Sequence, residues 1–296
     1  MANVISDEIF KVITGEKQGH FNSQIVYIAE SGDILERTKK VAVIDFDGEN
    51  QHYLTDGQDL VLTPVFSKNA GHIIFLRYFN DRPQLYELNI KNKILARIGG
   101  FKNTSFAPAV HPSDPNLLLF SMIDNGNSDV YEFNLFTGRA TRLTFSPAID
   151  TTPAYSTDGK QIIFISDRDG NPAIYIMDVD GGSLRKISRD RAIYSKPIWS
   201  PNANLIAFTK IKDGKFGIGL MGLDGRNEKI ITSGYLIEGA RWSPDGRYLI
   251  YSRKNGAYGA ASIPRLYIID IATGFEREVP TPINEGATDP DWAPIF

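Results

Sequence analysis

The sequence predicts an all-β protein, a six-bladed β-propeller of four-stranded blades that follows a short helix and closes by pairing the C-terminal strand with the N-terminal strands. Three observations predict this fold. A short phrase recurs along the chain, each interval between copies contains four strand-like runs, and the two ends of the chain complement each other. A period of roughly 40–50 residues made of short strands is typical of a radial repeat protein.

The recurring phrase consists of a proline, one variable residue and an aromatic or apolar residue, which serine follows in most copies. Successive copies start 44, 45, 44, 43 and 50 residues apart. The six copies begin at Pro64, Pro108, Pro153, Pro197, Ala240 and Pro290. Trp199, Trp242 and Trp292 occupy the same position of the phrase, which favours a common place in the core between blades.

Each interval between copies contains four strand-like runs separated by turns. In the third full copy these runs are 152–155, 161–166, 173–178 and 184–188. The runs are rich in β-branched and aromatic residues, which suit buried strands. Turns such as Asp158-Gly159 and Asp180-Gly181 separate them, because glycine supplies the positive φ that tight hairpins require. Each unit is therefore predicted to be one four-stranded blade.

The two ends of the chain together complete a sixth blade. Residues 24–55 contain three strand-like runs, at 24–29, 40–46 and 51–55, but no copy of the phrase. The copy at Pro290, in contrast, is not followed by any strand-like run. Pairing the two fragments would close the ring and remove two exposed sheet edges.

The first 20 residues do not follow the repeat. Residues 7–14 show helical spacing of apolar side chains, with Ser6 as the predicted N-cap and Gly15 as the predicted end. The helix either packs on the rim of the propeller or ends a domain that is absent. We favour the second interpretation, so that residues 1–20 form the remnant helix and linker of a missing N-terminal α/β domain and residues 21–296 form the propeller.

Composition excludes several classes of function. The chain has 296 residues and a net charge of −3, with no basic run that would favour nucleic acid. It contains no cysteine, which excludes disulfides and thiolate metal sites, and no apolar run long enough to span a membrane. His20, His52, His72 and His111 occupy unrelated repeat positions, which disfavours a metal centre, and a Gly-x-Ser-x-Gly nucleophile elbow is lacking.

Two stretches resemble a known family. The Pro-x-Trp-Ser-Pro-Asp-Gly pattern, nearly complete at 240–252 and partial at 153–166, resembles the repeat of TolB-type propellers, which tricorn and prolyl-oligopeptidase-like propellers share. Residues 6–28 resemble the junction between the small N-terminal domain of TolB proteins and their propeller. The resemblance covers essentially the whole chain, and it implies a non-enzymatic monomer of the periplasm whose signal peptide is not present in this chain.

The resemblance also implies partners. It implies binding of the peptidoglycan-associated lipoprotein Pal at the channel mouth, in support of outer-membrane integrity and cell division. TolA would bind through the missing N-terminal domain, and colicin translocation segments would use the same face as Pal. Two alternatives remain open. One is a propeller fragment of an enzyme, either a prolyl-oligopeptidase-type gate or a sugar lyase, and the other is a WD40-like adaptor.

The resemblance places the Pal-binding positions in loops just before each copy of the phrase. Small hydroxyls, a few carboxylates and one aromatic anchor, Phe106, suit a polar protein interface. The alternative is that these hydroxyls and carboxylates only satisfy backbone groups of turns. The predicted partner-binding residues are Thr104, Ser105, Phe106, Ala107, Asp150, Thr151, Thr152, Ser195, Lys196, Glu238 and Asp289.

No cofactor is expected beyond one candidate cation. Asp150, Glu238 and Asp289 would gather carboxylates near one channel mouth, and calcium prefers carboxylate and carbonyl oxygens. Solvated carboxylates around a channel are the alternative interpretation.

Overall fold

The computed structural model describes residues 2–15, 21–33, 36–80, 82–202, 204–254, 256 and 263–294. Within these residues the chain forms one helix and twenty-four strands. The elements are α1 (Ala2–Thr14), β1 (Gln24–Ser31), β2 (Thr38–Asp45), β3 (His52–Tyr53), β4 (Val61–Phe66), β5 (His72–Phe79), β6 (Arg82–Asn89), β7 (Leu95–Arg97), β8 (Ser105–Val110), β9 (Leu117–Asp124), β10 (Asn127–Asn134), β11 (Arg139–Arg142), β12 (Asp150–Tyr155), β13 (Gln161–Ser166), β14 (Ala173–Asp178), β15 (Arg185–Lys186), β16 (Ile193–Trp199), β17 (Leu205–Lys212), β18 (Lys215–Gly222), β19 (Lys229–Gly234), β20 (Leu236–Trp242), β21 (Tyr248–Lys254), β22 (Arg265–Asp270), β23 (Glu276–Glu278) and β24 (Gly286–Trp292).

The strands form six antiparallel sheets of four strands each, so the predicted six-bladed propeller is confirmed. Blades 1 to 5 are β4–β7, β8–β11, β12–β15, β16–β19 and β20–β23, and blade 6 has the order β24-β1-β2-β3. In every blade the strand that carries the phrase is the innermost. We call the face where the innermost strands begin the entry face, and the face where they end the exit face.

The ring closes in blade 6, as the sequence predicts. Strand β24 pairs with β1, placing Trp292 opposite Ile25, and Ala293 N donates to Gln24 O at 2.8 Å. The indole Nε1 of Trp292 donates to Ser23 Oγ at 2.7 Å. Chain segments from opposite ends of the sequence therefore share both backbone and side-chain hydrogen bonds.

The hydrophobic core consists of six clusters, one at each boundary between neighbouring blades. The aromatic residue of the phrase packs against the preceding blade. Trp199 lies between blades 3 and 4, Trp242 between blades 4 and 5, and Trp292 between blades 5 and 6. The prediction that the three tryptophans belong to the core between blades is therefore confirmed.

The outermost strands are shorter than the sequence predicts. The fourth strand of blade 3, predicted at 184–188, contains only Arg185–Lys186. The ladder stops there because Ile174 N donates to the side chain of Ser188 at 3.0 Å rather than to a backbone carbonyl. Thr144 in blade 2 and Thr55 in blade 6 accept from strand backbone in the same way. Hydroxyl side chains thus replace the last ladder bond of these blades.

Helix α1 begins earlier than predicted and packs on the exit face of blade 6. It starts at Ala2, so the prediction of Ser6 as N-cap is wrong: nothing in the residues before Ser6 breaks a helix. It ends at Gly15, whose φ is +74°, as predicted. The carboxylate of Asp7 accepts from Phe21 N at 2.7 Å and from Asn22 N at 2.9 Å.

The observed packing of α1 on the propeller agrees with one of the two interpretations of this segment. The assignment of residues 1–20 to the end of a separate domain stays a prediction, and residues 16–20 lie outside the described residues. Apolar side chains of α1 are nevertheless exposed, among them Val12 at 84% and Ile13 at 77%. In the described part of the chain, no helix has the length and apolar character needed to cross a membrane.

Candidate binding site at the central channel

Every innermost strand contains a β-bulge at the same place. The register with the second strand shifts there, as between Leu62 and Val65 in blade 1. The residue just before the phrase adopts a left-handed backbone, with φ between +47° and +75°. These six bulge residues are Thr63, Ala107, Thr152, Lys196, Gly239 and Asp289.

The proline of the phrase explains the position of the bulge. Proline lacks the N–H that a strand ladder needs, so inside sheets it is found at edges or bulges. A proline within a predicted inner strand was therefore the sequence signal for a bulge. In blade 5 the phrase starts with Ala240, and its bulge residue is the only glycine among the six, Gly239.

The bulge residues surround a cavity of about 260 Å³ to which all six blades contribute. The prolines of the phrase line the same cavity, which extends to Pro112, Ser156 and Thr157 in turns of the exit face. The sequence predicts that the phrase builds the ring and that the residues just before each copy bind a partner. In the structure the prolines also form the channel wall.

The prediction that the site residues lie in loops is wrong. Except for Thr104, they belong to innermost strands, because the bulge continues the strand past the predicted turn. Four of them, Ala107, Thr152, Lys196 and Asp289, line the cavity. The others do not line it, and they are Thr104, Ser105, Phe106, Asp150, Thr151, Ser195 and Glu238.

Phe106, the predicted anchor, is half-buried. Its side chain packs against the cluster between blades 1 and 2, which includes Phe120 and Tyr131. Packing thus accounts for a large apolar side chain at this position. Ser105 beside it is fully buried.

Charged side chains occupy one half of the channel. Lys196 Nζ lies 2.9 Å from Asp289 Oδ1 and 3.7 Å from Glu238 Oε2. Burial disfavours the ammonium, but the charges of Asp289 and Glu238 outweigh it and raise the pKa of Lys196. Arg241 Nε donates to Asp291 Oδ1 at 3.2 Å. Blades 4 to 6 thus carry the charges.

Asp291 connects three blades. Its second carboxylate oxygen accepts from Phe66 N of blade 1 at 2.8 Å, while its first accepts from Arg241 of blade 5. Burial raises the pKa of Asp291 despite the attraction of Arg241. The opposite half of the channel presents the uncharged bulge residues Thr63, Ala107 and Thr152.

The three carboxylates of the candidate calcium site are held by basic side chains. Both oxygens of Asp150 accept from Arg168 Nη2 at 3.0 Å, and Lys196 bridges Asp289 and Glu238. Among the residues that the structure describes, no group of three or more His, Cys, Asp or Glu side chains could hold a metal ion. His20 lies outside the described residues.

The entry face carries exposed apolar side chains that the sequence reasoning missed. They lie at the ends of strands or in the loops that join strands, and two of the most exposed are Ile283 at 78% and Phe145 at 74%. Exposed apolar side chains gathered on one face can serve as contacts for a partner. In the sequence, these positions are recognisable as large apolar residues next to predicted loops. The set is Leu60, Phe79, Ile123, Phe145, Ile149, Ile193, Tyr235, Ile263 and Ile283.

Comparison with known proteins identifies relatives of the whole chain. The sequence model of the TolB beta propeller domain family matches residues 10–296. The Tol-Pal system protein TolB of Orientia tsutsugamushi (strain Ikeda) is 41% identical over 293 residues, which are 99% of this chain and 64% of that protein. The Tol-Pal system protein TolB of Rickettsia bellii (strain OSU 85-389) is 42% identical over 305 residues, with 100% of this chain and 68% of that protein covered.

A solved structure agrees with these relatives. The crystal structure of TolB from Acinetobacter baumannii superimposes with a TM-score of 0.89 at 26% identity, and the match covers 99% of this chain and 72% of that one. The chain spans 64% of the length of the Orientia relative. The match of the family model over nearly all of the sequence decides the assignment, and the chain belongs to the TolB beta propeller domain family.

Proposed function

We propose that this chain is a non-enzymatic binding module of the Tol-Pal system, which acts in the periplasm and binds the lipoprotein Pal at the entry mouth of the channel. In this role it supports outer-membrane integrity and cell division. Membership of the TolB family and the names of the relatives, which are Tol-Pal system proteins, support the identity of the system.

The observation that carries the proposal is the apolar surface of the entry face. Its exposed side chains come from all six blades or the loops beside them, so they are distributed around the entry face. Interfaces combine a few buried apolar anchors with a polar surround. The mouth offers that combination, because Glu238 is 42% exposed beside the charged half of the channel.

Calorimetry with the soluble domain of Pal tests this proposal. Phe145→Ser should weaken the affinity for Pal about fivefold to tenfold, because it removes an exposed apolar side chain from the entry face. Phe136→Ser is the matched control: Phe136 is 86% exposed but lies in a turn of the exit face. Equal affinities of both variants, or no heat of binding with the wild type, would contradict the proposal.

The residues predicted from the sequence provide a second test. Lys196→Met and Asp289→Asn should both weaken Pal binding if the partner reaches into the channel. Phe106→Ala tests the predicted anchor, and its affinity must be corrected for any loss of folding, because Phe106 also packs between blades 1 and 2. An unchanged affinity of correctly folded Phe106→Ala would remove Phe106 from the proposed site.

The remaining partners concern the longer relatives. We propose contact with TolA through a preceding domain, of which residues 1–20 would be the end, and binding of colicin translocation segments at the same entry face as Pal. A competition experiment separates these proposals, because a colicin segment should displace Pal whereas TolA should not.

A further inference from the structure

Positive charge is concentrated on the outer side of the boundary between blades 3 and 4. Three clefts of about 430, 590 and 210 Å³ follow one another there, and all three are lined by Asp190. Arg189 lines the first two clefts, and Lys210 lines the last two. The clefts therefore form one continuous depression, which we call the basic groove.

The charge of the basic groove is opposite to that of the protein. Seven basic side chains and three acidic ones line it, which leaves a local charge of +4 in a chain of net charge −3. The acidic side chains are Asp169, Asp190 and Glu228. The exposed basic side chains are Lys186, Arg189, Arg191, Lys212, Lys215 and Arg226.

The three carboxylates of the basic groove are already engaged. Asp190 accepts from Lys210 at 2.7 Å and from Lys212 at 2.9 Å, and these hydrogen bonds lower its pKa. Glu228 accepts from Lys210 and from Tyr194, and Asp169 accepts from Tyr175 and Lys186. The acidic groups therefore have their partners within the groove.

Basic groups of the groove remain without an acidic partner. The side chains of Arg191 and Lys215 are exposed, and within the described part of the chain they make no hydrogen bond or ion pair. Among the described residues, the side chain of Arg189 donates only to the backbone carbonyl of Asp224, at 3.3 Å. These guanidinium and ammonium groups offer donors for carboxylates, and arginine can bind a carboxylate through two parallel hydrogen bonds.

The other lining residues decide what kind of anion fits. Phe216 and Ile230 add apolar surface to the third cleft. A dense run of phosphates would leave this apolar surface unused, whereas a peptide spaces its charges and carries apolar side chains between them. We propose that the basic groove docks an acidic, partly apolar peptide segment of a partner protein.

This interaction surface adjoins the proposed Pal site at the entry face but extends away from the channel mouth. The basic groove runs from the entry-face loops that carry Arg189, Arg191 and Lys215 to the outer strands β15 and β19, whereas the Pal site surrounds the mouth. Pal affinity, measured with the wild type and with the groove variants, therefore distinguishes the two proposals. If the wild type binds Pal but does not bind the acidic peptide, only the present proposal is contradicted.

Fluorescence anisotropy with a labelled peptide of about 12 residues, in which glutamate and leucine alternate, tests the groove at low ionic strength. The wild type should bind this peptide, should ignore a peptide of alternating lysine and leucine, and should lose affinity as salt is added. The double variant Arg189→Glu/Arg191→Glu should weaken binding at least about tenfold.

The matched control is Arg97→Glu/Arg139→Glu, which makes the same change in net charge on the outer strands of blades 1 and 2. Its affinity should stay within about twofold of the wild type. Equal losses in both double variants, no binding by the wild type, or displacement of the peptide by vesicles of anionic lipid at lower concentration than by unlabelled peptide would each overturn the proposal. Thermal unfolding of both variants verifies that they are folded.

Discussion

Lys196 Nζ lies 2.9 Å from Asp289 Oδ1 across the central channel, although the two residues are separated by 93 positions and belong to blades 4 and 6. Both are the left-handed bulge residue of their innermost strand. The bulge residue of the intervening blade 5 is Gly239, and a Cβ placed there would lie 3.6 Å from Lys196 Nζ. The small residue thus leaves room for the ion pair to form across it.

A double-mutant cycle should detect this ion pair as a stabilising interaction. Lys196→Met and Asp289→Asn should each lower the free energy of unfolding, and the coupling energy should be about 1–2 kcal/mol because the pair is mostly buried. Denaturant unfolding provides the measurement. Lys91→Met, an exposed lysine in a turn of blade 1, should change stability by less than about 0.5 kcal/mol. Additive effects of the two channel substitutions would rule out the coupling.

The same pair should give the protein a specific pH dependence. Burial opposes the charge of Asp289, but Lys196 outweighs it and lowers the carboxyl pKa below 3.8. Because the pKa is lower in the folded state, the stabilisation is present above pH 3.8 and is lost as the pH falls through the folded pKa. The melting temperature of the wild type should therefore fall more steeply below pH 3.8 than that of Lys196→Met. Parallel curves would contradict this origin.

At alkaline pH, the dependence of stability on pH has the opposite sign. The pKa of Lys196 is raised above 10.5, so its contribution is present below that pH and is lost as the pH rises through the folded pKa. Between these two limits the difference in melting temperature between wild type and Lys196→Met should be constant.

Two glycine substitutions should differ in cost for a geometric reason. Gly239→Ala should lower the free energy of unfolding by about 1 kcal/mol, because the left-handed backbone disfavours a Cβ that has space around it. Gly225→Ala should cost about 2–4 kcal/mol, since its Cβ would also lie on the backbone oxygen of Ile187 in the neighbouring blade. Urea unfolding of the two variants gives the comparison. Because the two glycines share nearly the same φ, +75° and +74°, equal costs would show that φ, rather than the approach of the blades, determines the cost.

The hydrogen bond at the closure of the ring should contribute measurably to stability. Ser23→Ala should cost about 1–2 kcal/mol, because it leaves the buried Nε1 of Trp292 unpaired. In a Trp292→Phe background the same substitution should cost clearly less. Trp242 provides the control: its Nε1 has no partner among the described residues, so Ser23→Ala should cost the same with Trp242→Phe as without it.

Closure of the ring was predictable because the sequence contains its two halves. Residues 24–55 contain strand-like runs but lack the phrase, and the phrase at Pro290 lacks following strands. These two fragments complete one blade when they pair, and β24 does pair with β1. The aromatic positions were predictable for a similar reason, since Trp199, Trp242 and Trp292 recur at the same step of a strand.

The candidate site was harder to predict because its geometry depends on a left-handed backbone at unusual residue types. Threonine, alanine and lysine seldom adopt a positive φ, so their residue types did not indicate a bulge at Thr152 or Lys196, and the resemblance placed these positions in loops. The bulge turns them into the channel and carries Phe106 into the packing between blades instead. Only the proline that follows them marked the bulge.

The sequence by itself determined the number of blades, the order of their strands and the closure, because these follow from a local pattern that repeats at a regular distance. The tertiary structure alone decided which side chains meet. Lys196 reaches Asp289, Asp291 joins blades 5 and 1, and the basic groove assembles from two neighbouring blades. The closed ring brings equivalent positions of different blades together at the channel, and the packing of blades 3 and 4 places their loops and strands side by side at the groove.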